Sequence, residues 1–309
     1  MDPTLINQFP PQTVDKVNRL FDLLQELSNH PDLRGKLAMH GGTALNLFVF
    51  DILRLSVDID LSYVGAIDLD EMLRERPLIE QAIIEVAKAQ GYAVTGAEGG
   101  HAGRTFVLNY RSSFGFDHVK IDCVYLNRSP LYPIQEMTSS FCPEVNVPMF
   151  DIAELIGGKV KAFFERVKIR DLYDICNIKQ LLENRGDSRR VHKVILYYAA
   201  LSAAFPYGFE GREERFATLQ REFNEQLVPM LRLEGEKPKL EKLIQEAHYF
   251  IDKYVLPQDT DEELFLSSFA KGNYEPELLF ENADIVKAAL LNPEALWKLQ
   301  NLKKLNKIF

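Results

Sequence analysis

Met39-His40-Gly41-Gly42-Thr43-Ala44-Leu45, followed by Arg54-Leu55-Ser56-Val57-Asp58-Ile59-Asp60-Leu61, is the stretch from which the rest of the chain is read. In an extended strand successive side chains point to opposite faces, so Val57, Ile59 and Leu61 turn to a core while Ser56, Asp58 and Asp60 share the other face. At a rise of about 3.3 Å per residue the two aspartates stand roughly 6 to 7 Å apart at Cβ. Carboxylates at that spacing converge on one Mg²⁺ or Mn²⁺ ion, or bridge two ions roughly 3.5 to 4 Å apart. Upstream, Gly41 and Gly42 let the backbone approach a triphosphate, and Thr43 offers a hydroxyl and a helix-opening amide to its oxygens. Arg54 adds a charge-assisted contact.

A lone Asp-x-Asp is common in surface loops, and a lone Gly-Gly is usually a turn. Two acids on one face of an otherwise apolar strand are harder to explain as decoration, because unpaired buried carboxylates are costly. With the glycine element before them, they point to nucleotidyl transfer.

The chain has 309 residues, enough for two domains or one elaborated domain with a substantial core. It contains neither a signal-peptide pattern nor an apolar run long enough to span a bilayer, so the expectation is a cytoplasmic protein with no membrane partner. Cys123, Cys142 and Cys176 are odd in number and lack metal-ligand spacing, which favours buried free thiols. A net charge of -9 argues against broad, non-specific coating of nucleic acid, so any such contact requires a local basic patch.

Apolar residues recur at helical spacing from Gln12 to Leu27, and Leu37 to His40 reads as a strand entering the glycines. A helix is expected over Thr43 to Phe50, a strand over Leu55 to Tyr63, and a helix opening at Asp68 and running to Ala89. Tyr92 to Thr95 is a further strand. Thr105 to Tyr110 and His118 to Leu126, separated by Ser112-Ser113-Phe114-Gly115, read as a hairpin. The first half is therefore α+β with a small mixed or antiparallel sheet. From Asp151 onward the pattern is helical, which divides the chain near Pro148 into residues 1–148 and an all-α domain of residues 149–309.

Asp122 lies opposite in phase to Ile121 and Cys123, and supplies a third carboxylate if its strand pairs beside that of Asp58. The alternative is a salt bridge to Lys120 or an edge-strand charge. Farther on, Lys159 and Asp171 are twelve residues apart, about 120° around an unbroken helix axis. They meet only if the chain breaks near Val167 to Ile169. A lysine there would hold a phosphate as a point charge, and an aspartate would order it or take a proton. The competing reading makes Arg166, Arg170, Asp171 and Asp174 an ion-pair network between two helices. Basic residues from Lys159 to Arg170, from Arg185 to Lys193 and in the tail from Lys298 to Lys307 are candidate RNA contacts. His101 and His118 lack ligand spacing and read as structural.

Taken together, Gly41 to Leu45, Arg54 to Leu61, Lys120-Ile121-Asp122, and Lys159 through Arg170-Asp171-Leu172-Tyr173-Asp174 resemble the AbiEii/AbiGii nucleotidyltransferase toxins of abortive-infection and type IV toxin-antitoxin systems. The resemblance implies a polymerase-β-like nucleotidyltransferase core followed by a helical C-terminal domain that contributes Lys159 and Asp171 to the active site. It also implies that Asp58 and Asp60 bind Mg²⁺, that Ser56 lies in the site, that Lys159 holds the triphosphate of an NTP, and that Asp171 is essential. His40 stands where that family often has lysine. Implied partners are an RNA acceptor, tRNA foremost, and a cognate antitoxin. Alanine at Asp58, Lys159 or Asp171 is expected to abolish toxicity without unfolding the protein. The rivals are a metal-dependent nuclease, against which the glycine element argues, and a non-catalytic nucleotide- or RNA-binding module, against which the intact acid pair argues.

Overall fold

The computed structural model describes residues 6–50, 52–95, 99–100, 102–184, 186–205, 216 and 218–305. The chain divides into two units. The first comprises the residues up to Phe150 together with Met230–Gly235, and the second comprises Asp151–Pro229 and the residues from Glu236 onward.

In the first unit, helix α1 (Pro11–Asn29) starts with a proline in its first turn, where a missing N–H costs nothing. Its buried stripe is Val14, Val17, Leu20, Phe21, Leu24 and Leu27. Strand β1 (Leu37–His40) is followed by a four-residue helix α2 (Gly41–Ala44), which runs into a π-helical turn over Leu45–Val49. The helix expected over Thr43 to Phe50 is thus short and wide. Strand β2 (Asp58–Tyr63) follows, then helix α3 (Leu69–Ala89), whose first turn is capped when the Asp68 carboxylate accepts the Glu71 N–H.

The remaining strands are β3 (Ala93–Thr95), β4 (Gly103–Ser112), β5 (Gly115–Val124), β6 (Gln135–Ser139) and β7 (Cys142–Met149). Together the strands form one seven-stranded sheet in the order β3-β4-β5-β2-β1-β7-β6. It is mixed: β2 pairs with β5 and β1 with β7 in parallel, and the other pairs are antiparallel. The β6–β7 hairpin adds to the expected strands, since Pro143 and Pro148 weaken its pattern in the sequence. One face of the sheet is a core: Ile59, Ile121, Phe106 and Val119 are wholly buried, each worth about 1.5–3 kcal/mol of transfer free energy.

The segment Met230–Gly235 belongs with this unit through its backbone. The Leu55 N–H donates to the Met230 carbonyl (2.8 Å), the Leu233 N–H donates to that of Gln8 (2.6 Å), and Arg54 forms an antiparallel bridge with Leu231.

The second unit is helical throughout its regular structure. Helices α4 (Ile152–Arg166), α5 (Ile169–Glu183) and α6 (Ser188–Leu201) pack together. They are followed by α7 (Leu240–Tyr254), α8 (Thr260–Ala270), α9 (Ala283–Leu291) and α10 (Pro293–Leu305). The helical pattern of the sequence also runs through residues 212–231; the first of these lie largely outside the described residues, and the rest is a run of short α, π and 3₁₀ turns. The three cysteines are free and buried.

Candidate active site

Four adjacent strands put the acidic residues in one row. His40 is opposite Asp60, Asp60 is opposite Asp122, and Asp122 is opposite Thr105; one step along, Asp58 is opposite Lys120. Directly paired residues point to the same face of a sheet, so Asp58, Asp60, Lys120 and Asp122 share the face away from the Ile59–Ile121 core. Asp58, Asp60 and Asp122 are half-buried there, and Lys120 is exposed. The sequence pattern offers Lys120 as a partner for Asp122. The register sets it beside Asp58 instead, and the Asp122 carboxylate accepts the hydroxyl of Thr105.

The glycines are explained by the acids. Gly41 has φ +77°, and a Cβ on it would come within 2.0 Å of Asp60 Oδ2. Only glycine both adopts that backbone and leaves room for the carboxylate at the corner where β1 becomes α2. The Gly42 carbonyl accepts the Asn46 side-chain amide at 2.9 Å, which ties the corner to the π-helical turn.

Two expected nucleotide contacts are placed differently. Thr43 is fully buried, with its hydroxyl bonded to the Asp58 carbonyl and 2.8 Å from that of Ser56. A carbonyl only accepts, so Thr43 donates to Asp58 and Ser56 donates to Thr43. Both hydroxyls therefore fix the start of β2 against α2, rather than facing a phosphate. Arg54 is 2% exposed, and its Nη1 donates to the Leu55 carbonyl at 3.0 Å. Its guanidinium lies inside the fold and not on the surface where a phosphate would arrive.

Among the described residues no three His, Cys, Asp or Glu side chains are gathered as a metal site, and Asp122 stands directly opposite Asp60 in the sheet register. The chemistry of Asp58 and Asp60 nevertheless suits Mg²⁺, a hard cation that takes one or two protein carboxylates and fills its octahedron with water and substrate phosphate oxygens.

The second unit carries the other expected pair. Helix α4 ends at Arg166, Val167 adopts the left-handed region at φ 47°, and α5 begins at Ile169. This break returns the chain so that Lys159 Nζ lies 2.8 Å from Asp171 Oδ1 and 2.9 Å from Asp174 Oδ2. Arg166 closes the other side of Asp171 with two bonds, Nε to Oδ2 at 2.7 Å and Nη2 to Oδ1 at 3.0 Å. Lys159, Asp171 and Asp174 are all buried. Burial pushes the Asp171 carboxyl up, but the Lys159 ammonium and the Arg166 guanidinium outweigh it and hold the group well below the usual aspartate range.

Most of the candidate RNA-binding charges are likewise engaged inside the unit. Lys161 pairs with Glu294, Lys168 with Glu222, Arg189 with Asp259 and Glu262, and Arg190 with Asp151 and Asp187. His192 is buried between Glu262 and the Tyr254 carbonyl, and Lys298 donates to the carbonyls of Ser202 and Phe205. Arg185, Lys307 and His101 lie outside the described residues.

Residues 22–250 match the family described as nucleotidyl transferase AbiEii toxin, type IV TA system. The chain belongs to this family. An AbiEii chain is a nucleotidyltransferase toxin of a type IV toxin-antitoxin system, which implies an NTP substrate and an antitoxin. The fold is similar to that of MenT4, a nucleotidyltransferase toxin from Mycobacterium tuberculosis H37Rv, with a TM-score of 0.59 at 12% identity, covering 94% of this chain and 99% of that one. JHP933 from Helicobacter pylori matches at a TM-score of 0.49 and 16% identity, covering 79% of this chain and 92% of that one. No curated protein sequence matches. Among the described residues of this AbiEii protein no helix is long and apolar enough to cross a membrane.

Proposed function

We propose that the protein transfers a nucleoside monophosphate from an NTP to the hydroxyl at an RNA 3′ end, tRNA foremost, and so blocks translation in the cytoplasm until its antitoxin intervenes. The observation that carries this reading is the half-buried pair Asp58 and Asp60 on one face of β2, with Gly41 bare of a side chain directly against the Asp60 carboxylate.

Asp58 and Asp60 would hold Mg²⁺ on that face. The bound ion supplies charge neutralisation for the phosphate oxygens and lowers the pKa of a hydroxyl beside it. Thr43 and Ser56 hold the β2 backbone at Asp58, so the carboxylate spacing is set before any ligand arrives. In the transfer itself the acceptor oxygen bonds to the α-phosphorus, the bond to the pyrophosphate oxygen breaks, and the hydroxyl proton leaves to solvent. Lys159 and Asp171 are carried over from the family resemblance as residues that transfer requires, Lys159 as the triphosphate's cation.

The test is to incubate pure protein with total RNA, Mg²⁺ and each labelled NTP in turn, with Asp58→Asn as the control. Label gained by an RNA band in the wild-type reaction alone is expected. Shortened RNA would replace this reading with a nuclease, and an Asp58→Asn variant as active as wild type would remove the carboxylates from the mechanism.

A further inference from the structure

The sheet face that carries the acids continues well past them. Along β5, every second residue from the hairpin tip to the carboxylate row faces the same way: Phe116, His118, Lys120, Asp122. The buried residues Val119, Ile121 and Cys123 alternate with the last three. The β4 partners on that face, from tip to row, are Arg111, Asn109, Val107 and Thr105. Phe116 is 85% exposed, very unusual for a phenylalanine, and the Arg111 guanidinium lies 5.4 Å from its ring centroid. The His118 side chain is 44% exposed and Lys120 is exposed. A core explanation fails for Phe116, and the register sets Lys120 beside Asp58 at the edge of the carboxylate row.

The chemistry of the stripe is graded. At the tip is an aromatic ring with a guanidinium beside it, next come a histidine and a lysine, and at the far end is Asp122, beside the Asp58 and Asp60 strand. From Phe116 to Asp122 the strand spans about 20 Å. Rings that accept a stacked base, with cations tracking the backbone, are the means by which proteins hold single-stranded nucleic acid without reading its sequence.

We infer that the β4–β5 face is the track for the single-stranded 3′ end of the acceptor RNA. An upstream base stacks on Phe116, phosphates lie along Arg111 and Lys120, and the terminal hydroxyl reaches Asp58 and Asp60. This track rests on the transferase reading above, which supplies the direction of the strand. The positive charges and the exposed ring favour a nucleic acid over a peptide as the occupant.

Binding and transfer test it separately. Fluorescence anisotropy with a labelled single-stranded oligoribonucleotide, Mg²⁺ and no NTP measures the track alone, on the full chain. Phe116→Ala is expected to weaken binding about tenfold, the loss of one stacked base. Lys120→Gln is expected to weaken it less and to reduce the salt-dependence slope by about one phosphate contact. In the transfer assay the same variants should raise KM for RNA and leave KM for the NTP unchanged. Both variants are surface changes, and unaltered thermal unfolding will show that each folds.

Wild-type binding to the oligoribonucleotide that both variants match overturns the proposal. So does a wild-type protein that binds no oligoribonucleotide and labels a protein instead. Binding that depends on Phe116 and Lys120 without any transfer leaves the track standing and sinks the transferase reading.

Discussion

The two carboxylate groups of this protein use the same residue types in opposite ways. In the helical unit Lys159 and Arg166 meet Asp171 and Asp174, two cations for two anions, with Lys159, Asp171 and Asp174 buried and their partners within 3.0 Å. On the sheet, Asp58, Asp60 and Asp122 share their face with Lys120 and remain half-buried, and Asp60 lies against a glycine with no side chain to crowd it. The first arrangement holds its charges against one another in the interior of the unit. The second keeps acids where solvent, a cation and a phosphate can reach them. Residue type announces chemistry, but environment decides whether a charge is held for the fold or kept for a ligand.

The sharpest way to break this comparison is Lys159→Met. Removing an ammonium that binds two buried carboxylates should cost about 3–5 kcal/mol, against the sequence-based expectation that Lys159 can be lost without unfolding. A fall in Tm on the order of 10 °C is the expected reading by differential scanning calorimetry. An unchanged Tm would mean that the cluster adds nothing to stability, and would leave the triphosphate as the reason Lys159 is held there.

Asp58→Asn should do the reverse. Its carboxylate is half-buried on the open face of the sheet, so stability should move by no more than about 0.5 kcal/mol while transfer falls by about 10²–10³-fold. Urea unfolding beside single-turnover transfer measures both. Large destabilisation with little loss of rate would put Asp58 in the same class as Asp171 and erase the contrast.

Gly41→Ala joins the two kinds of effect. The methyl group has to adopt φ +77° and to displace a carboxylate oxygen from 2.0 Å, so a stability loss of about 2 kcal/mol is expected, together with a higher Mg²⁺ requirement as Asp60 moves. A Mg²⁺ titration of transfer activity checks this. An unchanged midpoint would separate Gly41 from the metal site.

Much of the sheet was legible because half-buried strands write their burial in period two. Ile59 and Leu61 against Asp58 and Asp60, and Ile121 against Asp122, carry that signature. The break between α4 and α5 was legible too, since Lys159 and Asp171 meet only if the helix ends near Val167. The partners of a charge were not, because they are set by packing across helices. Nothing local says that Lys159 also binds Asp174, or that Thr43 turns its hydroxyl inward to the Asp58 carbonyl. Arg54 illustrates the same limit: its position before the acids suggests a phosphate, whereas the return of Met230–Gly235 beside it accounts for its burial. The β6–β7 hairpin was hidden for a different reason. β7 joins the sheet by pairing with β1, more than a hundred residues away, at Met39 and Met149, and its own prolines read as breakers.

The mildest test works through protons. Asp171 ionises more readily in the folded protein than in the unfolded chain, because Lys159 and Arg166 favour its charged form over the opposing effect of burial. The unfolded chain therefore binds the proton first as the pH falls, and protons pull the equilibrium toward unfolding. The contribution of Asp171 is complete above the ordinary aspartate value of about 4 and is lost as the pH falls below it toward the depressed folded value. Wild-type stability should then decline with acid on a slope that Asp171→Asn makes shallower, while the neutral-pH stability of that variant is lower from the start. Urea midpoints at a series of pH values from neutral to acid would show it. Parallel acid limbs for the two proteins would mean that Asp171 carries no such linkage, and that Lys159 and Arg166 do not favour its charged form as the contrast with the sheet acids requires.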